Sequence, residues 1–259
     1  MKVAIIGAGL AGLSCAYELE KYNIRPTIFE RNSYIGEQYP HVAATLEVIS
    51  RPIRDPIKYF KSKYNLEFKP LNTLNRVIHH SPYKTTEVKG DLGYFYNRSK
   101  DPIDMKNQLY SKLKKSNIIF NSTVDYLVLS KQYDYVVVAN GNSTISSELG
   151  CWFEHLNTYI KGAVVLGSFD PNTLHVWINK DYCKNGYAYL TPFSDHKASL
   201  ILIVTDVNEK EIDSYWELFL NTENLKYTII EEYKQIIGVA MFIPTELIIY
   251  FLQVMQKAP

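Results

Sequence analysis

Three glycines and one glutamate carry the first chemistry visible in the chain. Gly7, Gly9 and Gly12 form G-x-G-x-x-G, directly after the apolar run Val3 to Ile6. A helical stretch follows, with Leu13, Ala16, Tyr17 and the run Leu19 to Lys21, and Asn23 is its expected exit. The order is strand, tight turn, helix. In such a unit the first glycine permits the turn, the second lets the backbone approach a diphosphate, and the third lets the helix pack closely on the strand. The helix N-terminus then presents N–H groups and the positive end of its dipole to the phosphates. Glu30 closes the next apolar stretch, Pro-Thr-Ile-Phe-Glu, 18 residues after Gly12. A carboxylate at that point accepts hydrogen bonds from ribose hydroxyls and repels a 2′-phosphate, a rejection that the neighbouring Arg31 softens. The pattern predicts a dinucleotide site and does not by itself choose between FAD and NAD.

Other reactive residue types are scattered. Cys15, Cys151 and Cys183 stand singly with no C-x-x-C, which excludes a zinc ribbon and a dithiol redox pair. His79 and His80 are adjacent, so a strand would turn them to opposite faces, and no metal site is expected from them. No Ser/His/Asp or paired-carboxylate arrangement points to hydrolysis. The 28 basic and 27 acidic residues leave a net charge of +1, with no basic patch for nucleic acid and no acidic tail. The opening residues lack a convincing signal-peptide cleavage site. Residues 236–255 are interrupted by Pro244 and Glu246, so neither half reaches the ~20 residues of a membrane span. The expectation is a cytoplasmic protein with a small-molecule substrate, no nucleic-acid partner and no transmembrane span; peripheral membrane contact and the electron donor stay open. Asn97, Asn121 and Asn142 open Asn-x-Ser/Thr triplets, which mean little without a secretory signal.

The elements that must position these residues can be outlined. Asp55 and Pro56 read as the N-cap and first residue of a helix. Residues 77–98 alternate as a hairpin and strand. Asp101 and Pro102 predict the start of a helix whose far end carries Lys112, Lys114 and Lys115. Residues 117–129 read as a strand or hairpin. Val136 to Ala139 form a buried strand, with Asn140-Gly141-Asn142 as a turn at its carboxyl end, where open α/β sheets bind ligands. Between residues 161 and 205 the chain becomes a series of short strands separated by turn residues, an antiparallel sheet. An amphipathic helix follows, with Ile212, Trp216, Phe219 and Leu220 on one face.

This order resembles FAD-dependent oxidoreductases of the geranylgeranyl reductase group, within the wider para-hydroxybenzoate hydroxylase-like fold. The likeness extends over about residues 1–245 and rests most on Gly7, Gly9, Gly12 and Glu30. Gly36 fits the further loop glycine of flavoproteins. The resemblance implies that Arg98 lies near the flavin pyrophosphate, with Gln108 on the following helix as a second candidate. Val-Val-Ala-Asn-Gly, ending at Asn140 and Gly141, is similar to the family's A-A-D-G, with Asn140 in place of the acid. Gly186, Tyr187 and Pro192 match the family's G-Y-x-W-x-F-P strand, from which Tyr189 and Thr191 depart. The implied fold is α/β: a Rossmann-like FAD/NAD(P)-binding domain with an inserted antiparallel β-sheet substrate domain. The expected division gives 1–72 and 98–160 to the nucleotide-binding domain, with 236–259 as its incomplete return, and 73–97 and 161–235 to the substrate domain. The implied activity is that of an FAD-dependent oxidoreductase: hydride transfer from reduced flavin to an organic, isoprenoid-like substrate, or reaction of reduced flavin with oxygen, with NAD(P)H as a candidate reductant. No catalytic residue is nominated. A non-catalytic nucleotide-binding remnant and an NAD-binding dehydrogenase are the alternatives.

The family closes its nucleotide site with a further strand and a Gly-Asp motif. Here Leu247 to Phe251 supply the strand, and Leu252 to Pro259 lack the motif. Codons for these last residues can be chosen that read Thr-Gly-Asp-Ala-Glu-Ser-Pro in a neighbouring frame. The expectation is therefore a frameshift near residues 246–252 and a truncated C-terminal return. That expectation would be dead if the genomic DNA over this stretch lacked an open Gly-Asp frame.

Overall fold

The computed structural model describes residues 1–36, 39–47 and 55–241. The expectation for the C-terminal return beyond Met241 lies outside the described residues. In chain order the elements are β1 (Val3–Ile6), α1 (Leu10–Lys21), β2 (Thr27–Phe29), β3 (His41–Leu46), α2 (Pro56–Tyr64), β4 (Asn72–His80) and β5 (Thr85–Arg98). They continue as α3 (Met105–Tyr110), β6 (Asn117–Ile119), α4 (Tyr126–Ser130), β7 (Tyr135–Val138), α5 (Thr144–Glu148) and β8 (Phe153–Leu166). The last are β9 (Thr173–Trp177), α6 (Lys180–Cys183), β10 (Tyr187–Pro192), β11 (Lys197–Thr205), α7 (Ile212–Thr222) and β12 (Thr228–Met241).

Two units form. The first contains the N-terminal residues through Gly36 and the stretch Met105–Phe153; the second contains Tyr39–Asp104 and Glu154–Val239. Residues 39–72, 98–104 and 154–160, expected with the nucleotide-binding part, cluster instead with the second unit. The reason is pairing: β3 runs antiparallel to β5, with His41 opposite Arg98 and Leu46 opposite Gly93. Residues 236–239, expected with the C-terminal return, likewise belong to the second unit as part of β12.

The first unit is a four-stranded sheet in the order β6-β2-β1-β7. All three pairings are parallel. Every residue of β1 is buried, as suits the inner strand of a parallel sheet. Ala4, Ile6, Leu129 and Val136 form one core on this sheet, joined by Phe29, Tyr126 and Tyr133. Residues 126–129, the end of the stretch expected as a strand or hairpin, instead belong to α4, because the Asp125 carboxylate accepts a hydrogen bond from Leu127 N–H at 2.7 Å and starts a helix. The helix expected from Asp101 begins only at Met105. Asp101 accepts from Ile103 N–H at 3.0 Å and so closes a turn ahead of it. Beyond Tyr110 the helix tightens into three-residue turns, Lys112 N–H donating to the Leu109 carbonyl and Leu113 N–H to the Tyr110 carbonyl at 3.0 Å each. Glu20 accepts from the N–H groups of Lys114, Lys115 and Ser116 at 2.9, 2.8 and 2.7 Å. Burial pushes the Glu20 carboxyl up, but the hydrogen bonds from Ser116, Lys114 and Lys115 outweigh it and hold the group below its ordinary value.

The second unit is an eight-stranded sheet in the order β12-β8-β11-β10-β9-β4-β5-β3. It is mixed, since β4 and β9 pair parallel, with Arg76 opposite Thr173, among antiparallel neighbours. One face is covered by α6 and α7. Trp216, Phe219, Ile212 and Tyr182 pack there against Ala163, Val165, Ala188, Leu190, Leu200, Leu202 and Val204. The α7 face matches its expected period. The opposite face carries Ile160, Ile201 and Tyr233, with Tyr189 and Ile203 beside them. Strand alternation produces the two faces: Leu200 and Leu202 point one way, Ile201 and Ile203 the other. The sheet curls enough for β3, last in its order, to meet strands near its other end. Thr191 Oγ1 donates to the Val42 carbonyl at 2.8 Å, and Val42 N–H donates to Ser199 Oγ at 3.1 Å. Thr191 and Ser199 are fully buried. This latch is the physical reason for a threonine at position 191.

Candidate nucleotide-binding site

The glycine loop joins β1 to α1 at the carboxyl end of the parallel sheet. Each glycine meets a different constraint. Gly7 has φ +102°, and a Cβ there would sit 2.5 Å from the Ala139 carbonyl oxygen. A Cβ on Gly12 would overlap the Gly7 carbonyl oxygen, so helix and loop can be this close only without one. Gly9, the N-cap of α1 at φ −78°, is under no such pressure: nothing lies within 4 Å of the Cβ it lacks. Open space thus lies against bare backbone at the start of a 12-residue helix. A diphosphate suits that space, where N–H groups and the helix dipole favour negative charge.

Glu30 is 4% exposed and spans the end of β2 and this loop. Its Oε2 accepts from Ala8 N–H at 2.8 Å, and its Oε1 accepts from Asn32 N–H and Nδ2 at 3.0 Å each. The carboxylate therefore braces the glycine loop. Each oxygen has two lone pairs, so Oε2 keeps capacity for a ribose hydroxyl. Arg31 is exposed at the next position. Asn140 and Gly141 follow β7, and Ala139 N–H donates to the Ile6 carbonyl at 2.8 Å, which ties their turn to the loop. Asn140 Nδ2 donates to Asn142 Oδ1 at 2.9 Å, and that oxygen also accepts from Thr144 N–H at 3.1 Å. Gly141 has φ +71° with open space around it.

Gly7, Gly9, Gly12, Glu30, Asn140 and Gly141 are thereby brought together. Gln108 is half-buried on α3 in the same unit. Arg98 falls in the sheet unit, at the end of β5. Burial lowers its guanidinium from its ordinary value, against the opposing pull of Asp104. Asp104 itself is fully buried and accepts from Ser99 N–H at 2.8 Å.

One residue near the loop escaped the sequence reading. Lys106 on α3 is only 2% exposed. Its Cδ lies 3.1 Å from where a Gly36 Cβ would be, and that point is 3.3 Å from Gly9 Cα and 3.4 Å from the Ala8 carbonyl oxygen. A lysine on an expected surface helix gives no signal of burial. Its stem packs against Gly36, in the loop that follows β2.

Residues 5–55 match the family model described as the NAD(P)-binding Rossmann-like domain. No curated protein matches the chain by sequence. Solved structures do match in shape. A geranylgeranyl bacteriochlorophyll reductase-like protein from Thermoplasma acidophilum superposes with TM-score 0.70 at 11% identity, over 93% of this chain and 67% of that one. The chain has the fold of flavin-dependent enzymes. The flavin-dependent halogenase CmlS aligns with TM-score 0.63 at 16% identity, over 92% of this chain and 50% of its own. Aklavinone-11 hydroxylase, solved with FAD and aklavinone, aligns with TM-score 0.58 at 14% identity, over 93% and 54%. This chain thus spans half to two thirds of these proteins. The expected α/β fold, a Rossmann-like part with a large sheet, is the one found. Among the described residues no helix is long and apolar enough to cross a membrane.

Proposed function

We propose that the chain is an FAD-dependent oxidoreductase acting on an apolar organic substrate, with an isoprenoid as the finer reading. The observation that carries this is the open, Cβ-free space at Gly9 on the N-terminus of α1, with Glu30 bracing the loop from behind. That cradle fits the diphosphate and ribose of a dinucleotide. The choice of FAD over NAD is supported by the second unit. Of the solved structures that align over both parts, CmlS is described as flavin-dependent and aklavinone-11 hydroxylase was solved with FAD.

In this reading Gly7 and Gly12 fix the loop, and the N–H groups at the start of α1 hold the phosphates. Glu30 takes the adenosine ribose. Asn140 and Gly141 border the site at the end of β7. Arg98 and Gln108 are assigned to the pyrophosphate region. Bound FAD would supply two-electron redox chemistry, while the protein supplies orientation and exclusion of water. Tyr189 and Tyr233, with Ile160 and Ile201, give the sheet an aromatic and aliphatic face suited to an apolar substrate. NAD(P)H is the proposed source of electrons. An NAD-binding dehydrogenase is the second reading, favoured by the match of residues 5–55 to an NAD(P)-binding domain.

Titration of the purified 259-residue chain with FAD, read by flavin fluorescence and the visible band, tests the proposal. Saturable binding with a shifted band is expected. A folded chain that binds NADH and ignores FAD would favour the dehydrogenase. A folded chain that binds neither would leave a nucleotide-binding remnant.

A further inference from the structure

We propose that the chain forms a two-fold dimer in which β12 pairs antiparallel with β12 of a second copy, centred on Tyr233; the inference is independent of the nucleotide-site reading. Among the described residues β12 is the first strand of the eight-stranded sheet and has one neighbour, β8. It is 14 residues long and contains no proline. Ile229, Ile230 and Ile236 are exposed along it. Folded proteins blunt such edges with proline, with very short strands, with charges or with a covering segment. The other edge of the sheet is managed in that way: β3 has six residues, and Val42 is tied to Thr191 and Ser199. At β12 the device is charge, and the order of the charges selects one partner.

Residues 229–237 read Ile-Ile-Glu-Glu-Tyr-Lys-Gln-Ile-Ile, alike in kind from either end. Antiparallel pairing about Tyr233 sets Ile230 opposite Ile236, Glu231 opposite Gln235 and Glu232 opposite Lys234, each twice by symmetry. Moving the axis by one residue sets Glu232 against Glu232 or Lys234 against Lys234, and like charges directly opposite repel. The side chains are placed for the favourable register. Glu232 lies 3.7 Å from Lys161, which donates to Asp213 on α7 at 2.9 Å, and Lys234 donates to the same Asp213. Glu232 and Lys234 therefore stand on the α7 face, and strand alternation puts Ile230 and Ile236 there too. The row Glu232, Lys161, Asp213, Lys234 ends in one carboxylate and one ammonium, so in the dimer each end meets its opposite in the second copy. Tyr233 leaves the axis clear. Its ring leans inward over β8, where a Cβ on Gly162 would sit 2.3 Å from it, and it stacks on Tyr39 with ring centres 4.5 Å apart.

Light scattering on the full 259-residue chain over a range of concentrations tests this, with circular dichroism to verify folding. The expected mass is twice the 29.9 kDa of one chain. Lys234→Glu sets carboxylates against each other at both charged contacts, and Glu232→Lys does the same with ammonium groups. Each should raise the dimer dissociation constant about 100-fold or more. An equimolar mixture of the two variants restores opposite charges at both contacts and should regain the dimer, a recovery that a general loss of stability cannot produce. A wild type that is monomeric at every concentration overturns the proposal. A dimer that both variants leave intact overturns it as well, and so does a mixture that stays monomeric. If the charge variants do not fold, Ile230→Lys and Ile236→Lys decide, since both positions are exposed in one copy. Weakened dimers support the proposal, and unchanged dimers overturn it.

Discussion

In the first unit the residues that matter most have no side chain; in the second they are the largest side chains present. Gly7, Gly9 and Gly12 shape a loop around space that the protein itself does not fill. Trp216, Phe219 and Tyr182 fill theirs completely, each being fully buried under the sheet. The contrast teaches where function and stability reside. A binding loop is specified by what must be absent at a few neighbouring positions, so a short motif announces it. A core is specified by volume summed over strands far apart in sequence, and no short motif does.

The sharpest test of this division is Trp216→Ala, which should lower the unfolding free energy by about 3–5 kcal/mol. Urea denaturation followed by circular dichroism measures it. ADP affinity of the protein that stays folded should not change, and a parallel loss of affinity would break the separation of roles. Gly12→Ala should come next, at about 2–3 kcal/mol, because the new Cβ meets the Gly7 carbonyl and backbone must move. Here binding and stability should fall together, and retention of either would contradict the packing.

A pH effect on stability is expected from the sheet unit. His80 Nε2 and His175 Nδ1 are 3.1 Å apart, within hydrogen-bond distance, and the two rings lie nearly parallel. Burial, then His80 and Arg76, push His175 down to about 4, against Asp170. Burial, with His79, also lowers His80, against Glu223. The folded protein therefore binds fewer protons than the unfolded chain between about 4 and the ordinary 6.5. The stability this provides is complete above the upper value and is lost as pH falls through the lower. Thermal midpoints should drop across that window by about 4–8 °C more in wild type than in His175→Phe. Equal drops would acquit the pair.

The smallest effect on stability is expected at Gly9→Ala, within about 0.5 kcal/mol, since the methyl enters open space at an ordinary φ. FAD affinity should nevertheless fall several-fold as the methyl intrudes on the phosphates. Unchanged FAD affinity would mean that the space beside Gly9 is not where the diphosphate lies.

How much of this is legible in the chain follows from the same contrast. The glycine loop, Glu30 and the cap at Asp55 are local, and each stands where its spacing predicts. The buried face of α7 is periodic and equally legible. Residues 101–116 depart from their pattern at the start, where Asp101 closes a turn before the helix, and at the far end, where Glu20, more than ninety positions away, takes the backbone donors of Lys114, Lys115 and Ser116. Residues 126–129 depart from theirs because a short apolar run fits either period, and Asp125 is the cue that decides for helix. Lys106 is invisible for the reason that Trp216 is plain: a charged residue announces burial only through its neighbours.

The parallel pair β4–β9 has a further meaning in time. Arg76 and Thr173 are 97 positions apart, and everything from α3 to β7 lies in the loop they close. The hairpin β4–β5 with β3 can zip locally, and so can β9–β10–β11, but the sheet is whole only when these two pieces join. On a ribosome the first piece must wait, edge exposed, until the second half of the Rossmann-like unit and then β9 have been made. Closing that seam is the step expected to set the pace of folding.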